Sequence, residues 1–420
     1  MSERTLIRQV RIFDGTGKAP FDGEVEIEGA RIVRIGRGRR ARAGRARVID
    51  GAGATLMPGL CDAHTHFSWN DQPSLAAIQF MPPEEHTLWC ARVAEQYLDM
   101  GFTSCVGAAA AKPRLDVVIR NAINAGQIPG PRYLANSQEI ATVGGLGDVA
   151  PPHLEHEGLS FGAVVSGPEE VRRTVRRFIK YGVDLVKLNL SGEEVTGVPS
   201  AATVMSEEEC AMAVREAHRR GLRVCAHARS AESVKMCIRH GIEIIYHASF
   251  ADAEALTMLA RRREHHFVAP GLAWLVCTAR EAGQWGIEPG GELASAYEAE
   301  LSQALEGLRE MHRRRVRILP GGDYGFAWTP HGRNAKDLEY FVELIGMTPM
   351  EALLSATRLG GEIMGRPHEL GMIREGYLAD LILVKGDPLR DVRILQSRDC
   401  ILAVMKDGAF YRAPGETRRR

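Results

Sequence analysis

The sequence predicts an α/β fold, a (β/α)8 TIM-like barrel that carries a small composite β-sandwich domain built from both termini. Three observations predict it. Eight apolar, strand-like runs recur between residues 56 and 319, with helical patterns between many of them. Both ends of the chain read instead as short strands separated by turn residues. Histidine or aspartate stands at the end of several of the eight runs, where barrel enzymes place their chemistry. A doubly wound sheet would also alternate strands and helices; the count of eight favours the barrel.

Taken in order, Thr5-Leu6-Ile7-Arg8-Gln9-Val10-Arg11-Ile12 partly alternates, and Asp14-Gly15-Thr16-Gly17 turns the chain. Glu24-Val25-Glu26-Ile27-Glu28 and Arg31-Ile32-Val33-Arg34-Ile35 flank a turn at Gly29, the pattern of a hairpin. At the far end, Ala379-Asp380-Leu381-Ile382-Leu383-Val384 and Ile401-Leu402-Ala403-Val404-Met405 are strand-like, with a turn at Lys406-Asp407-Gly408. Neither set could bury a face alone, so residues 1–57 and 366–420 are expected to form one domain around a barrel at 58–365. Barrel strands are expected at 56–66, 102–106, 132–136, 183–190, 222–227, 242–247, 266–270 and 317–319. Val171, Val175, Phe178 and Ile179 form a helical stripe. Ser206-Glu207-Glu208-Glu209 and Thr348-Pro349-Met350-Glu351 are capping boxes, the second with proline at the first helical position.

Composition excludes several classes. Lys+Arg and Asp+Glu balance at 53 each, so no net charge draws the chain to nucleic acid or a membrane. The tail Arg418-Arg419-Arg420 is short and reads as a solvated end. No apolar run approaches the roughly 18 residues of a membrane span, and the first residues lack a signal peptide's apolar core. Eight cysteines stand singly without a Cys-x-x-Cys, as expected of reduced thiols in a cytoplasmic protein.

The chemistry concentrates in Met57-Pro58-Gly59-Leu60-Cys61-Asp62-Ala63-His64-Thr65-His66. On a strand, residues i and i+2 share a face, so His64 and His66 can aim both imidazoles at one divalent metal while Thr65 faces away. His227, His247 and Asp323 close the runs at 222–227, 242–247 and 317–319. Lys187 sits inside the apolar run at 183–190, in a chain with eight lysines against 45 arginines. Burying an ammonium there is costly without a partner. Two solutions are open: an ion pair with a carboxylate, or reaction with CO₂ to a carbamate whose two oxygens could bridge two metals. Asn189 shares a face with Lys187 and could serve as a neutral ligand, leaving one metal.

These residues together resemble the amidohydrolase superfamily, in its imidazolonepropionase-like and metal-dependent prolidase-like branch. The likeness extends through Ala226-His227-Ala228, Tyr246-His247, Gly321-Gly322-Asp323, Gly376-Tyr377-Leu378-Ala379-Asp380-Leu381 and Val404-Met405-Lys406-Asp407-Gly408. The resemblance implies His64 and His66 on a first metal and His227 and His247 on a second. It implies carboxylated Lys187 as the bridge, and Asp323 as first-metal ligand and proton acceptor. Zinc is the default ion for such a nitrogen–oxygen donor set, and the family suggests a homo-oligomer. Implied with it is hydrolysis of an amide, urea or carbamate C–N bond in a small molecule.

Two positions depart from the peptidase-like pattern. Leu146 stands where those relatives have a histidine, and Arg229 where they have a tyrosine. Arg229 could bind a substrate carboxylate as a fork. The segment Asp323-Tyr324-Gly325-Phe326-Ala327-Trp328-Thr329-Pro330-His331 is similar to that of phenylurea and thiocarbamate (molinate) hydrolases, and aromatic walls suit an apolar substrate. Leu146, Arg229, Phe326, Trp328 and His331 are therefore expected at the substrate. A small, fairly apolar amide-type substrate is the first expectation; a prolidase or carboxypeptidase-like activity on N-acyl amino acids or dipeptides is the alternative.

Overall fold

The computed structural model describes residues 4–37, 44–151, 153 and 161–415. The basic end at 418–420 lies outside them.

Strands from the two ends of the chain share one eight-stranded sheet. Its order is Ala409–Arg412, Ile401–Lys406, Leu381–Val384, Thr55–Pro58, Arg4–Ile12, Phe21–Glu28 and Arg31–Arg37, with Arg47–Asp50 also pairing on Arg4–Ile12. Thr55–Pro58 joins the two halves. It lies parallel to Arg4–Ile12 and antiparallel to Leu381–Val384. Ile7, Val10, Val25, Leu56, Leu381 and Met405 belong to one buried cluster, so the ends bury together the face that neither covers alone. The hairpin around Gly29 forms as its sequence predicts.

The run expected as one opening strand is split in two. Thr55–Pro58 belongs to the terminal sheet and Leu60–Thr65 to the barrel. Gly59 lies between them and donates its N–H to the Asp380 carbonyl at 2.9 Å. A Cβ at Gly59 would stand 2.1 Å from Thr103 Oγ1. Gly59→Ala is therefore expected to destabilise the protein by about 1–3 kcal/mol through overpacking, read as a lower denaturant midpoint; an unchanged midpoint would mean that strand two yields.

The barrel strands are Leu60–Thr65, Phe102–Gly107, Arg132–Leu134 continued by Asn136–Thr142, Leu185–Asn189, Arg223–Ala228, Ile244–His247, Phe267–Ala269 and Arg317–Ile318. Neighbours pair in parallel. The Ala63 N–H bonded to the Pro320 carbonyl at 2.9 Å closes the ring from strand eight to strand one. Strand three is broken at Ala135 and runs on to Thr142, six residues beyond its expected end at 136. Its first piece pairs with strand two and its second with strand four.

Both capping boxes form as predicted. Val171, Val175 and Phe178 are buried on helix Pro168–Tyr181, with Ile179 at the edge of the stripe. All eight cysteines are free thiols. Among the described residues no helix is long and apolar enough to cross a membrane.

Candidate metal centre

His64 and His66 leave strand one on a shared face, as the two-residue period requires. Thr65 turns away and donates its hydroxyl to the Val106 carbonyl. Asp62 Oδ1 accepts the His64 backbone N–H at 3.0 Å, which fixes the strand end. The His66 ring stacks on Trp69, with centroids 3.8 Å apart, and its Nδ1 donates to the Ala109 carbonyl at 3.2 Å. A carbonyl can only accept, so the proton resides on Nδ1 and Nε2 is left as the free donor of electrons. His66 Nε2 lies 3.0 Å and His64 Nε2 3.5 Å from Asp323 Oδ1; His247 Nε2 lies 3.9 Å from Oδ2. The same logic assigns His227. Its Nε2 donates to the Gly192 carbonyl at 3.0 Å, leaving Nδ1 free, and its ring centroid is 4.5 Å from that of His247.

The electrostatics suit a cation. Burial drives His64, His227 and His247 well below the usual imidazole range, so all three are neutral and able to bind metal. Burial alone would raise the Asp323 carboxyl, but His64, His66 and Lys187 outweigh it and hold the group far below the usual carboxylate range. His247 and Asp323 adopt φ of +73° and +62°, a conformation that costs side-chain-bearing residues energy and concentrates at functional sites. His64 Nδ1 and both ring nitrogens of His247 are buried without a hydrogen-bond partner. One ligand atom each from His64, His247 and Asp323 lie within 4.8 Å of one another, a group that could hold a metal ion. Neutral imidazoles, a carboxylate and orphaned buried nitrogens fit a divalent metal.

Lys187 is buried, its Nζ 5.0 Å from the centre of the Tyr246 ring. Its register partner on strand three is Glu139. Burial pushes the Glu139 carboxyl up to about 7, against the opposing pull of Lys187 and of a hydrogen bond with Asn189. Glu139 lines the same cavity as His64, His66, Lys187, His227 and Asp323. The sequence pattern, which ends strand three at 136, does not reveal Glu139; its register opposite Lys187 comes from the pairing of strands nearly fifty residues apart. Asn189 donates to the Leu146 carbonyl at 2.8 Å and so holds the loop after strand three.

The expected substrate residues divide. Leu146 and Phe326 line the cavity. Trp328 lies farther out, in an adjoining chamber of about 340 Å³ that shares Leu75, Val195, Thr196 and Phe326 with the inner one. Its indole donates to Thr278 Oγ1. His331 is turned away from both chambers: Nδ1 meets Asp71 Oδ1 at 2.8 Å and Nε2 meets the His66 carbonyl at 3.0 Å, so it buttresses the His66 segment. Arg229 requires a correction. It is fully buried, with Glu193 and Glu300 on its two terminal nitrogens, and it lines neither chamber. Burial would lower its pKa, but the two carboxylates outweigh that and keep it a cation. Glu193 follows strand four and also accepts from the Tyr297 hydroxyl and from Trp274 Nε1. With both terminal nitrogens engaged by carboxylates, the buried guanidinium has no fork to offer a substrate.

A closed ring of parallel strands with an imidazole–carboxylate cluster at their C-terminal ends defines a metal-dependent hydrolase of the barrel class. The amidohydrolase family profile matches residues 55–410, and the chain belongs to that family as a hydrolase acting on C–N bonds. The sequence is 29% identical over 384 residues to the ochratoxinase of Aspergillus niger, covering 86% of this chain and 76% of that one. A Xaa-Pro dipeptidase solved with methionine in its active site superposes with a TM-score of 0.85 at 29% identity, covering 98% of this chain and 100% of that chain. Molinate hydrolase shares the fold, with a TM-score of 0.78 at 20% identity over 97% of this chain and 94% of that chain.

Proposed function

We propose that this amidohydrolase cleaves an amide-type C–N bond, in an amide, urea or carbamate, of a small and fairly apolar substrate. The observation that carries the reading is the cavity wall. Leu146, Trp69, Phe161, Trp274 and Phe326 line the inner chamber, and Phe326 and Trp328 the outer one. The sole arginine expected at the substrate is sequestered by two carboxylates.

His64, His66, His227, His247, Lys187 and Asp323 are proposed as the metal-holding residues. A bound divalent ion would supply Lewis acidity and bring the pKa of water near 7. Asp323 takes the proton of the attacking water. With Oδ1 facing His64 and His66, Oδ2 is the oxygen open to it. As the new C–O bond forms and the C–N bond breaks, Asp323 passes that proton to the departing amine. The Ala109 and Gly192 carbonyls hold His66 and His227 in the required tautomers. Lys187, if carboxylated, would offer two further oxygens, enough for the set to hold two zinc ions. A single ion is the second reading, favoured by the His64, His247 and Asp323 group. Metal analysis reading two ions or one per chain separates these.

The alternative, a prolidase-like activity on N-acyl amino acids or dipeptides, draws on the likeness to the Xaa-Pro dipeptidase. The test is kcat/KM for a neutral aryl amide, urea and carbamate against an N-acyl amino acid of similar size. The neutral compounds are expected to be better by at least about tenfold, the difference of 1.4 kcal/mol that one unpaired buried charge readily exceeds. A preference for the acid would establish the alternative.

A further inference from the structure

One aromatic ring touches two of the proposed metal-holding residues and comes from neither of their strands. Tyr246 precedes His247 on strand six and is fully buried. Alternation along the strand sets its direction. Ile244 and Tyr246 pack with Cys61, Leu185 and Cys225, from strands one, four and five, inside the barrel, while Ile245 joins the core outside it. The Tyr246 ring stacks on His64 of strand one, with centroids 3.9 Å and planes 24° apart, and Lys187 Nζ of strand four lies 5.0 Å from its centre. Strand six pairs with strands five and seven. No backbone ladder therefore carries it to His64 or Lys187; the ring spans the barrel interior to reach them.

His64 needs such a support. The Ala109 carbonyl fixes the His66 ring, and the Gly192 carbonyl fixes that of His227. His64 has no counterpart, since its Nδ1 is buried without a hydrogen-bond partner among the described residues. Nothing bonded to that nitrogen stops the imidazole from turning and swinging Nε2 away from Asp323 Oδ1, 3.5 Å distant. Two close-packed flat faces do resist the turn, because rotating one ring drives its edge into the other. The same ring presents Lys187 with a negative face that attracts its ammonium. The Tyr246 hydroxyl is turned to the Cys225 thiol and bonds neither His64 nor Lys187. Tyr246 lines neither chamber, so substrate recognition does not account for it.

We propose that Tyr246 is a positioning residue for the metal: its aromatic face, not its hydroxyl, sets the plane of the His64 ring and the place of the Lys187 end. This rests on the metal-holding set proposed above and adds to it a residue that is not itself a ligand.

The experiment titrates metal-free protein with Co²⁺, reading the dissociation constant and the visible absorption bands, which report the geometry around the ion. Tyr246→Phe keeps the aromatic face; Tyr246→Ile and Tyr246→Met remove it, and either one carries the test. Ile244→Ala is the packing control, equally buried and two residues earlier on the same face. The two non-aromatic variants are expected to bind Co²⁺ about 10–100-fold more weakly, the range for residues that orient a ligand, with shifted bands, and Tyr246→Phe to stay within about threefold of wild type. Ile244→Ala is expected to lower the denaturant midpoint and leave the cobalt bands in place. At saturating Co²⁺ the non-aromatic variants are expected to lose kcat at unchanged KM for the best amide substrate. Wild-type affinity and bands in a non-aromatic variant overturn the proposal, as does a change confined to KM. Loss of cobalt in Tyr246→Phe to the same degree moves the role to the hydroxyl, and the same loss in Ile244→Ala reduces it to core packing; each overturns the proposal. His64→Ala separates this proposal from the ligand set beneath it. Unchanged cobalt binding in His64→Ala would remove His64 as a ligand, and the basis for Tyr246 with it. Loss of binding in His64→Ala with none in Tyr246→Ile would remove Tyr246 alone.

Discussion

Asp323→Asn is expected to lower kcat by about 10²–10⁴-fold, the range that a positioned general base supplies, while retaining a substantial share of the metal. The two losses differ because the carboxylate does two things. As a ligand it offers an oxygen, which an amide also offers, more weakly. As a base it takes a proton from water and returns it to the amine, which an amide cannot do. The surroundings make the substitution sharper still. His66 Nε2 stands 3.0 Å from Oδ1 and His64 Nε2 3.5 Å, so ring nitrogens and carboxylate oxygen converge on one point. Among the described residues Oδ2 has only His247 Nε2 nearby, at 3.9 Å, beyond hydrogen-bond distance. The checks are metal content of the purified variant and single-turnover rate with the best amide substrate. Near-normal turnover in metal-loaded Asp323→Asn would remove Asp323 as the base and point to another group for proton transfer.

Most of what positions this centre could be read from residue order. A strand places i and i+2 on one face, so His-x-His announced its own geometry, and the strand-end positions of His227, His247 and Asp323 followed from the β/α alternation. These are local rules. The parts that escaped are set by distance in sequence. His331 was expected at the substrate because it follows two aromatics, yet its ring is engaged by Asp71 and the His66 carbonyl, more than 250 residues earlier. Glu139 escaped because the break at Ala135 hides the continuation of strand three. The division of the opening strand at Gly59 depends on Thr103 and Asp380, one on the next strand and the other in the terminal domain. No window along the chain contains such pairs.

Arg229 is where a local argument failed most plainly, and its replacement carries the second large effect. Arg229→Ala is expected to destabilise the protein by about 3–5 kcal/mol, the cost of removing one partner from a buried ion pair. Glu193 and Glu300 would be left in the interior without their cation. They come from the Ser191–Glu193 strand and from helix Glu292–Arg313, so no sequence pattern near Arg229 reveals them. The damage should reach the metal. Glu193 anchors the segment whose Gly192 carbonyl holds His227, and loosening it frees the ring that the tautomer assignment needs fixed. Weaker metal retention should therefore accompany the loss of stability, with kcat/KM falling alike for an N-acyl amino acid and a neutral aryl amide. Glu300→Gln in the Arg229→Ala background should recover part of the stability by removing one of the stranded charges. Denaturant midpoints, metal content and the two kcat/KM values read these outcomes. A stable, metal-replete Arg229→Ala that loses only the acid substrate would return the guanidinium to the substrate pocket and overturn the buried-anchor assignment.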